Sequence, residues 1–312
     1  MSDRRFNPAR FNDQIDEALY AKGWGPGARL RRERKAIIEW LRKKHKDDKP
    51  SLALADKLEG CKPHTRCKSA ACPECSHAAR QLVTQVARRF LKEQPSSDTT
   101  IVCVSIVPAD GASKPGNLAK DQHARDVRRW KEALGRAGIT WFVGGNDWSF
   151  NEHDEDRYPG HWSHHFYGIT ATTDLEKLKK ALQRQFPKTD TIPRPVQVQV
   201  WDGKEKPITY MLKSEFRRRI GTDDGERFDK PNAGTRSCRA TDKQPLRSTE
   251  KRDLLLHLDQ IGLQGRLMLR RVQILRLGVA GSAVVERGPK GLAVVERGVV
   301  ERGPNGRMRG KR

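Results

Sequence analysis

Apolar and polar residues alternate with two different periods along residues 99–220, and the changes of period predict six elements. Runs of branched apolar residues predict buried strands, while apolar residues every three or four positions predict helices. The predicted order is strand, helix, strand, strand, helix, strand, at residues 99–108, 118–137, 139–151, 161–170, 174–185 and 195–201. This order is typical of an α+β fold with a ferredoxin-like antiparallel sheet and helices on one of its faces.

A further helix is predicted at residues 208–220, directly after the last strand. Its three-residue spacing places Tyr210 and Lys213 on one side of the helix. A tyrosine with a cation beside it is a candidate nucleophile. The alternatives are that the ring of Tyr210 only packs into a core, as tyrosines on amphipathic helices usually do, or that Tyr167 is the nucleophile.

Histidines cluster in the third strand, where three of the nine in the chain fall within residues 161–165. Alternation along a strand places His161, Ser163 and His165 on one face and His164 on the other. The first face is therefore a candidate site for a divalent ion, and His164 is expected to pack or to lie at the surface.

An acidic ligand for the same ion is predicted on the second strand. If the second and third strands are neighbours, Asp147 approaches His165, and a carboxylate with imidazoles suits Mg²⁺, Mn²⁺ or Zn²⁺. We therefore predict that Asp147, His161 and His165 hold a catalytic Mg²⁺ or Mn²⁺. The loop that follows carries the competing ligands Glu152, His153, Asp154, Glu155 and Asp156.

A cysteine cluster precedes the first strand. Its members are Cys61, Cys67, Cys72 and Cys75. The last two form a CxxC pair whose thiolates reach one tetrahedral ion, and four sulfurs complete a closed structural zinc site. Two alternatives remain, namely that His64 or His77 replaces one sulfur, or that the CxxC pair is a redox pair, although no βαβ pattern surrounds it.

Composition favours a polyanionic partner. The chain has 62 basic and 39 acidic residues, a formal charge of +23, and 35% hydrophobic residues. Such an excess favours nucleic acid, although a solvated basic surface is the ordinary alternative. No apolar run approaches the ~20 residues that span a bilayer, and residues 1–10 are polar and charged, unlike a signal peptide. A cytoplasmic protein without a membrane partner is expected.

Shifts in composition divide the chain into four regions. The predicted regions are a basic helical N-terminus at 1–58, a four-cysteine zinc knuckle and helix at 59–98, the α+β domain at 99–220, and a basic tail at 221–312. The tail is predicted to contain one helix, at residues 248–277. The valine-rich repeats after it, at residues 283–304, predict a largely disordered end.

Taken together, these motifs resemble those of plasmid rolling-circle replication initiators, which belong to the HUH endonucleases. The resemblance covers residues 59–220 and rests on the cysteine knuckle, the strand at 104–108, the histidine strand at 161–168 and Tyr210-x-x-Lys213, in that order. It implies single-stranded or origin DNA as the substrate and nicking through a phosphotyrosine. It also implies an HUH-like nuclease domain at 99–220.

The resemblance also implies roles for particular residues. Tyr210 would be the nicking nucleophile, Lys213 its basic companion, His165 a metal ligand and Asp147 the acidic ligand. The chain departs from the family pattern at Ser163, which stands where the first histidine of the His-x-His pair belongs. A serine hydroxyl is a poor ligand for a transition metal, so this departure weakens the metal site.

Other functions remain open at this stage. An HUH-type transposase has the same motifs, and a catalytically inactive zinc-containing DNA-binding protein would fit Ser163. An RNA-binding protein would fit the predicted sheet, but the RNP-type aromatic pattern does not occur on the expected strands. The chain has no GxxxxGK[ST] phosphate loop, so a host helicase is the expected source of DNA unwinding.

Overall fold

The computed structural model describes residues 27–62, 65–92, 98–153, 158–227, 236–276, 282–288 and 291–292. Within these residues the chain is a mixed α+β protein, which confirms the predicted α+β class. Its sheet is curled and contains one parallel pair, and so differs from the predicted ferredoxin-like antiparallel layer. Several sequence predictions lie outside the described residues: the start of the N-terminal region, residue His64, the loop acids Asp154, Glu155 and Asp156, and the end of the tail.

Three helices precede the sheet: α1 (Ala28–Lys44), α2 (Lys49–Glu59) and α3 (Pro73–Lys92). The side chain of Asp48 caps α2 by accepting a hydrogen bond from the Ser51 amide. Leu41 of α1 is fully buried, while basic residues occupy its outer face, as predicted for this region.

The main sheet is built around two long central strands. Its strands are β1 (Thr100–Ile106), β2 (Ala112–Ser113), β3 (Phe142–His153), β4 (His161–Thr172), β5 (Val196–Val200), β6 (Arg218–Arg227), β7 (Arg236–Gln244) and β8 (Leu267–Arg270). The order is β5-β1-β4-β3-β6-β7, antiparallel except for the β3–β6 pair, with β2 added to β4 and β8 added to β3. Helices α4 (Lys120–Arg136) and α5 (Leu175–Gln185) connect the strands of its first half.

The sheet is larger than the predicted four-stranded layer, and helices cover both of its faces. Val102 and Val104 of β1 pack in one core with α4 and α5, whereas Cys103 between them packs in a second core with α3. The expectation of helices on one face is therefore wrong, because β1 is apolar on both sides. Two of the extra strands, β6 and β8, pair with the twelve-residue strand β3, on the edge that does not face β4.

The predicted helix at residues 208–220 is also wrong. The structure has a short helix, α6 (Lys206–Tyr210), followed by a turn in which the Lys213 amide donates to the Tyr210 carbonyl. Met211 in that turn is buried, and from Arg218 the chain enters β6. Residues from Arg218 onward pair with β3 instead of continuing the predicted helix. The turn nevertheless keeps the side chains of Tyr210 and Lys213 on the same side.

The region after residue 220 contributes to the main sheet. Helix α7 (Ser248–Gly265) ends before the predicted residue 277, because Gly262 has a non-helical φ of 64° and the next segment, β8, pairs with β3. A three-stranded sheet follows, of β9 (Val272–Arg276), β10 (Ser282–Gly288) and β11 (Gly291–Leu292). The first valine-rich repeat thus forms the strand β10, where the sequence predicted disorder. The later copies begin at residue 293 and lie outside the described residues.

Candidate functional site

Strand pairing brings Asp147 and His165 together. They lie directly opposite each other in the β3–β4 ladder, both buried, with His165 Nε2 3.0 Å from Asp147 Oδ2. The other ring nitrogen of His165, Nδ1, lies 3.3 Å from the Ser163 carbonyl, which only accepts hydrogen bonds. The Asp147 carboxylate also only accepts hydrogen bonds, so both ring nitrogens of His165 face acceptors. With the proton on Nε2 the ring donates to Asp147, and with the proton on Nδ1 the Nε2 lone pair faces the carboxylate. A proton or a metal ion between Nε2 and Oδ2 would resolve this arrangement.

The turn after α6 adds Lys213 and Tyr210 to this pair. Lys213 Nζ lies 2.6 Å from Asp147 Oδ2 and donates to Tyr210 Oη at 3.4 Å. The Tyr210 side chain is 44% exposed, which is unusual among the large hydrophobic residues of the described chain. Its ring lies edge-on to that of Tyr167, with centroids 5.2 Å apart. The alternative nucleophile is thus a direct neighbour of the predicted one.

A close backbone approach seats this turn on the sheet. A Cβ atom at Gly145 of β3 would overlap the Met211 carbonyl oxygen, so the turn rests directly on the strand only because residue 145 is glycine. Gly145 is two residues before Asp147. The absence of a side chain there therefore sets the height of Tyr210 and Lys213 above the carboxylate.

Arg266 supports the site from below and was not predicted from the sequence. Its Nε donates to the Asn146 carbonyl at 3.0 Å, and its Nη2 donates to the Lys213 carbonyl at 2.8 Å. Burial lowers the pKa of Arg266 to about 10, against the opposing effect of the Asp147 charge, so the guanidinium stays charged at neutral pH. Arg266 directly follows α7 and is 120 residues after Asn146 in the sequence, so no local pattern points to it.

The charges around Asp147 keep it ionised. Burial would raise the pKa of its carboxyl, but His165, Lys213 and Arg266 together hold that pKa below its ordinary value. Oδ2 contacts both Lys213 and His165, whereas Oδ1 has no hydrogen-bond partner within the described residues. Oδ1 is therefore the acceptor that this buried, ionised carboxylate leaves unused.

His161 does not join the other predicted metal ligands. It lies opposite Asn151, four residues from His165 along the strand, which is about 13 Å at the usual rise. Its Nδ1 contacts the Pro159 carbonyl at 3.0 Å, and its ring meets Tyr158. The structure therefore places only Asp147 and His165 of the predicted triad within reach of one ion.

The remaining candidates near β3 and β4 are occupied elsewhere. Ser163 is buried opposite Ser149. It occupies the position two residues before His165 on the same face of β4, so this position offers no nitrogen ligand. Glu152, the described one of the competing loop acids, pairs with Arg218 and Arg247, each at 2.9 Å. It is therefore held away from the His165 side chain by its own cations.

His164 lies on the opposite face, as the alternation predicted, in a buried aromatic cluster. Its ring stacks on Trp148 at 4.6 Å and approaches His123 at 4.9 Å, and His257 approaches His123 at 5.7 Å. Burial lowers the pKa of His123 to about 4 and that of His257 to about 3. Both rings are therefore neutral in the folded protein at neutral pH.

This cluster predicts a loss of stability in acid. Below the ordinary histidine pKa of about 6.5, His123 and His257 are protonated in the unfolded chain but stay neutral in the folded protein. The free energy of unfolding should then fall by about 1.4 kcal/mol per pH unit for each histidine, from about pH 6 down to about pH 4. Urea unfolding at several pH values measures this slope. A His257→Leu variant should have a shallower slope, and an unchanged slope would contradict the assignment.

The four cysteines form a compact cluster at the start of α3. Their sulfur atoms lie within 4.8 Å of one another, and they are the one such group of metal-ligand side chains among the described residues. The shorter separations are 3.6 Å for Cys61–Cys75, 3.7 Å for Cys67–Cys75 and 3.8 Å for Cys72–Cys61. A tetrahedron of sulfurs around zinc at ~2.3 Å has edges of about 3.8 Å, so the cluster fits one tetrahedral ion such as zinc.

Arginine side chains surround the cysteine cluster. Arg66 Nη1 lies 3.8 Å from the Cys61 sulfur and pairs with Glu74 at 2.8 Å, and Arg34 pairs with the same glutamate at 3.0 Å. Arg34 also donates to the Cys61 carbonyl. Four thiolates around a divalent ion carry a net negative charge, which these guanidinium groups offset. The sulfurs are not paired as disulfides.

Comparison of the chain with protein-family profiles, curated protein sequences and solved structures found no match. The described residues contain no helix with the length and apolar character of a membrane span.

Proposed function

We propose that this chain nicks and rejoins single-stranded DNA through a covalent phosphotyrosine at Tyr210, as an HUH-type enzyme. The observation that carries the proposal is the chain of contacts from the exposed Tyr210 hydroxyl through Lys213 to the buried Asp147–His165 pair. A nucleophile with a cation beside it, next to a carboxylate–histidine pair that could bind a divalent ion, is suited to phosphodiester transfer.

The topology supports the same proposal. Neighbouring strands are antiparallel in the order β5, β1, β4 and β3, and α4 and α5 are the crossovers. We infer from this order that a ferredoxin-like split unit forms one part of the larger curled sheet. Asp147 and His165 lie on its two strands β3 and β4. The resemblance to replication initiators places its metal ligands on the same two strands.

The chemistry follows from the positions of the side chains. The Tyr210 oxygen, after losing its proton to solvent, attacks phosphorus, and the bond from phosphorus to the 3′-oxygen breaks. The 3′-oxygen leaves with the electron pair and takes up a proton, which gives a free 3′-hydroxyl and a 5′-phosphotyrosine. The Lys213 ammonium stabilises the Tyr210 phenolate before attack. The reverse attack by a 3′-hydroxyl rejoins the strand.

Asp147 and His165 are the residues that would hold a Mg²⁺ or Mn²⁺ ion, through an unpartnered carboxylate oxygen and the Nε2 lone pair. When bound there, the ion supplies positive charge to the scissile phosphate. Lys213 contacts the same carboxylate and also lies 3.4 Å from the Tyr210 hydroxyl, so this one side chain links the Asp147–His165 pair to the nucleophile. With Ser163 in place of a histidine, the affinity for the ion should be low, and assays need millimolar metal.

A free 3′-hydroxyl can prime DNA synthesis, so initiation of rolling-circle replication of a plasmid or mobile element is the proposed role. An HUH-type transposase would use the same chemistry. The partners of the replication role are origin DNA in the cytoplasm and a host helicase that unwinds it.

The test is an adduct assay with the Tyr210→Phe variant. The protein is incubated with single-stranded oligonucleotides from the DNA that flanks its gene, with Mn²⁺, and a denaturing gel shows any covalent adduct. We expect an adduct with the wild type and at least a ~1,000-fold loss in Tyr210→Phe, because phenylalanine has no nucleophilic oxygen. The control is Tyr167→Phe, which removes the hydroxyl of the neighbouring tyrosine, whose ring centroid lies 5.2 Å from that of Tyr210. This variant should still form the adduct.

A catalytically inactive zinc-containing DNA-binding protein is the second candidate, and Ser163 favours it. This function predicts DNA binding without an adduct under every metal condition. The outcome of the adduct assay therefore separates the two candidates, provided that DNA binding is measured on the same samples.

A further inference from the structure

A groove of about 770 Å³ runs between α3 and α6, outside the site described above. The part of α3 that faces it is the polar stripe left by the buried apolar face of that helix. Its lining residues include Arg80, Arg88, Arg89 and Lys92 of α3, together with Glu205 and Thr209.

The charge of the groove is strongly positive. Four of its side chains are arginine or lysine, and its one acid, Glu205, is paired with Arg88 across the groove. Arg80 and Lys92 are twelve residues apart on one helix, which is about 18 Å. A row of cations of this length matches a polymer with repeated negative charges better than a small anion.

The groove leads to the candidate nucleophile. Thr209 lines the groove and is the residue directly before Tyr210. The pair of Arg88 with Glu205 joins α3 to the residue that precedes α6. A strand lying along α3 would therefore reach α6 one residue before Tyr210.

The shape favours a single strand over a duplex. Proteins read duplex DNA by inserting a protruding helix or ribbon into its groove, whereas single strands lie in positively charged channels. The lining contains no aromatic ring for base stacking apart from the His77 imidazole, but it does contain the amides and hydroxyls of Gln81, Gln85, Thr84 and Thr209. Contacts to phosphate and sugar, with little sequence preference, are what such a lining supports.

We propose that the α3–α6 groove binds the phosphate backbone of single-stranded DNA and delivers the strand to Tyr210, a proposal that rests on the proposed nicking function and deepens it. The groove supplies affinity through Arg80, Arg88, Arg89 and Lys92. The chemistry stays with Tyr210 and its neighbours.

The test compares two double variants of the full chain that each lose two positive charges. Arg80→Ala/Lys92→Ala changes the groove, and Lys177→Ala/Lys180→Ala changes residues of α5, which packs on the opposite face of the sheet from α3. Fluorescence anisotropy with a labelled oligothymidine of about 20 nucleotides, without added Mg²⁺ or Mn²⁺, gives Kd at several salt concentrations. Circular dichroism and zinc content check that each variant is folded.

We expect the groove variant to raise Kd at least ~10-fold and to reduce the slope of log Kd against log salt by about 1.4, for two lost phosphate contacts. The α5 variant should stay within about twofold of the wild type. If Arg80→Ala/Lys92→Ala fails to fold, Lys92→Glu alone, at the exposed end of α3, should raise Kd several-fold. Equal losses in the groove and α5 variants, or a preference for duplex that depends on Arg80 and Lys92, would overturn the proposal.

Failure of the groove and failure of the nicking function give different results. An adduct at Tyr210 with normal DNA binding by the groove variant would reject the groove alone. No adduct, with single-strand binding that depends on the groove, would reject nicking and leave the groove as a DNA-binding site.

Discussion

Replacing Cys72 by serine is expected to remove bound zinc and to lower the melting temperature of the protein by about 10–20 °C. Cys72 is fully buried and shares the sulfur tetrahedron with Cys61, Cys67 and Cys75. Loss of one ligand would leave three buried thiols without the ion that we expect to hold α3 in place, at a cost of roughly 5 kcal/mol. Calorimetry and metal analysis of the purified protein measure the two effects.

The matched control is Cys103→Ser. Cys103 is also buried, in β1, but lies outside the sulfur cluster. This variant should keep one zinc ion per chain and lose far less stability than Cys72→Ser. A wild-type protein that folds fully without zinc, or a Cys72→Ser variant that melts with the control, would contradict the zinc assignment.

Zinc loss should also weaken DNA binding and adduct formation. The cluster anchors the first turn of α3, and α3 reaches α6 through the Arg88–Glu205 ion pair. A displaced α3 would change the groove that it forms with α6, which carries Tyr210 at its end. The cysteine site is therefore expected to act on the nucleophile through helix position alone.

Replacing Lys213 by methionine is expected to slow adduct formation by about 100-fold, and Asp147→Asn by about 100- to 1,000-fold. Lys213→Met removes the ammonium group 3.4 Å from the Tyr210 oxygen while keeping most of the length of the side chain. Asp147→Asn removes the negative charge that Lys213 and His165 share. Single-turnover rates with a fixed oligonucleotide and Mn²⁺ give the size of each loss.

Lys204→Met is the control for the lysine change. Lys204 is on the same segment, largely exposed and paired with Asp202 at 3.0 Å. Its loss should leave the rate within about twofold, as is usual for an exposed ion pair. A Lys213→Met variant that reacts as fast as Lys204→Met would show that the cation beside Tyr210 has no part in the reaction.

Alternation and spacing were sufficient to predict the local features of the chain. The strands β1, β3, β4 and β5, the capped helix α5, the four cysteines and the facing of His165 toward Asp147 all follow from periodicity and ligand spacing. These features depend on neighbours in the chain or in a hairpin. Local chemistry is enough to determine them.

Features set by distant segments were not predictable in this way. The helical spacing of residues 208–220 gave way to pairing of β6 with β3, a contact between residues about 68 positions apart. Arg266 reaches Asn146 and the Lys213 carbonyl from the end of α7. His161 lies on the same face of β4 as His165 but four residues away from it along the strand. This separation is too large for both side chains to bind one ion, so a shared face was not enough to predict a shared site.

Mapping the adduct by mass spectrometry shows whether Tyr210 becomes covalently joined to DNA. The wild-type protein is reacted with an oligonucleotide and Mn²⁺, then digested with nuclease and trypsin and analysed by mass spectrometry. We predict a nucleotide 5′-phosphate on Tyr210, in the tryptic peptide of residues 205–213. The phosphate on Tyr167, in the peptide of residues 158–177, or an adduct that maps to neither tyrosine, would contradict the account.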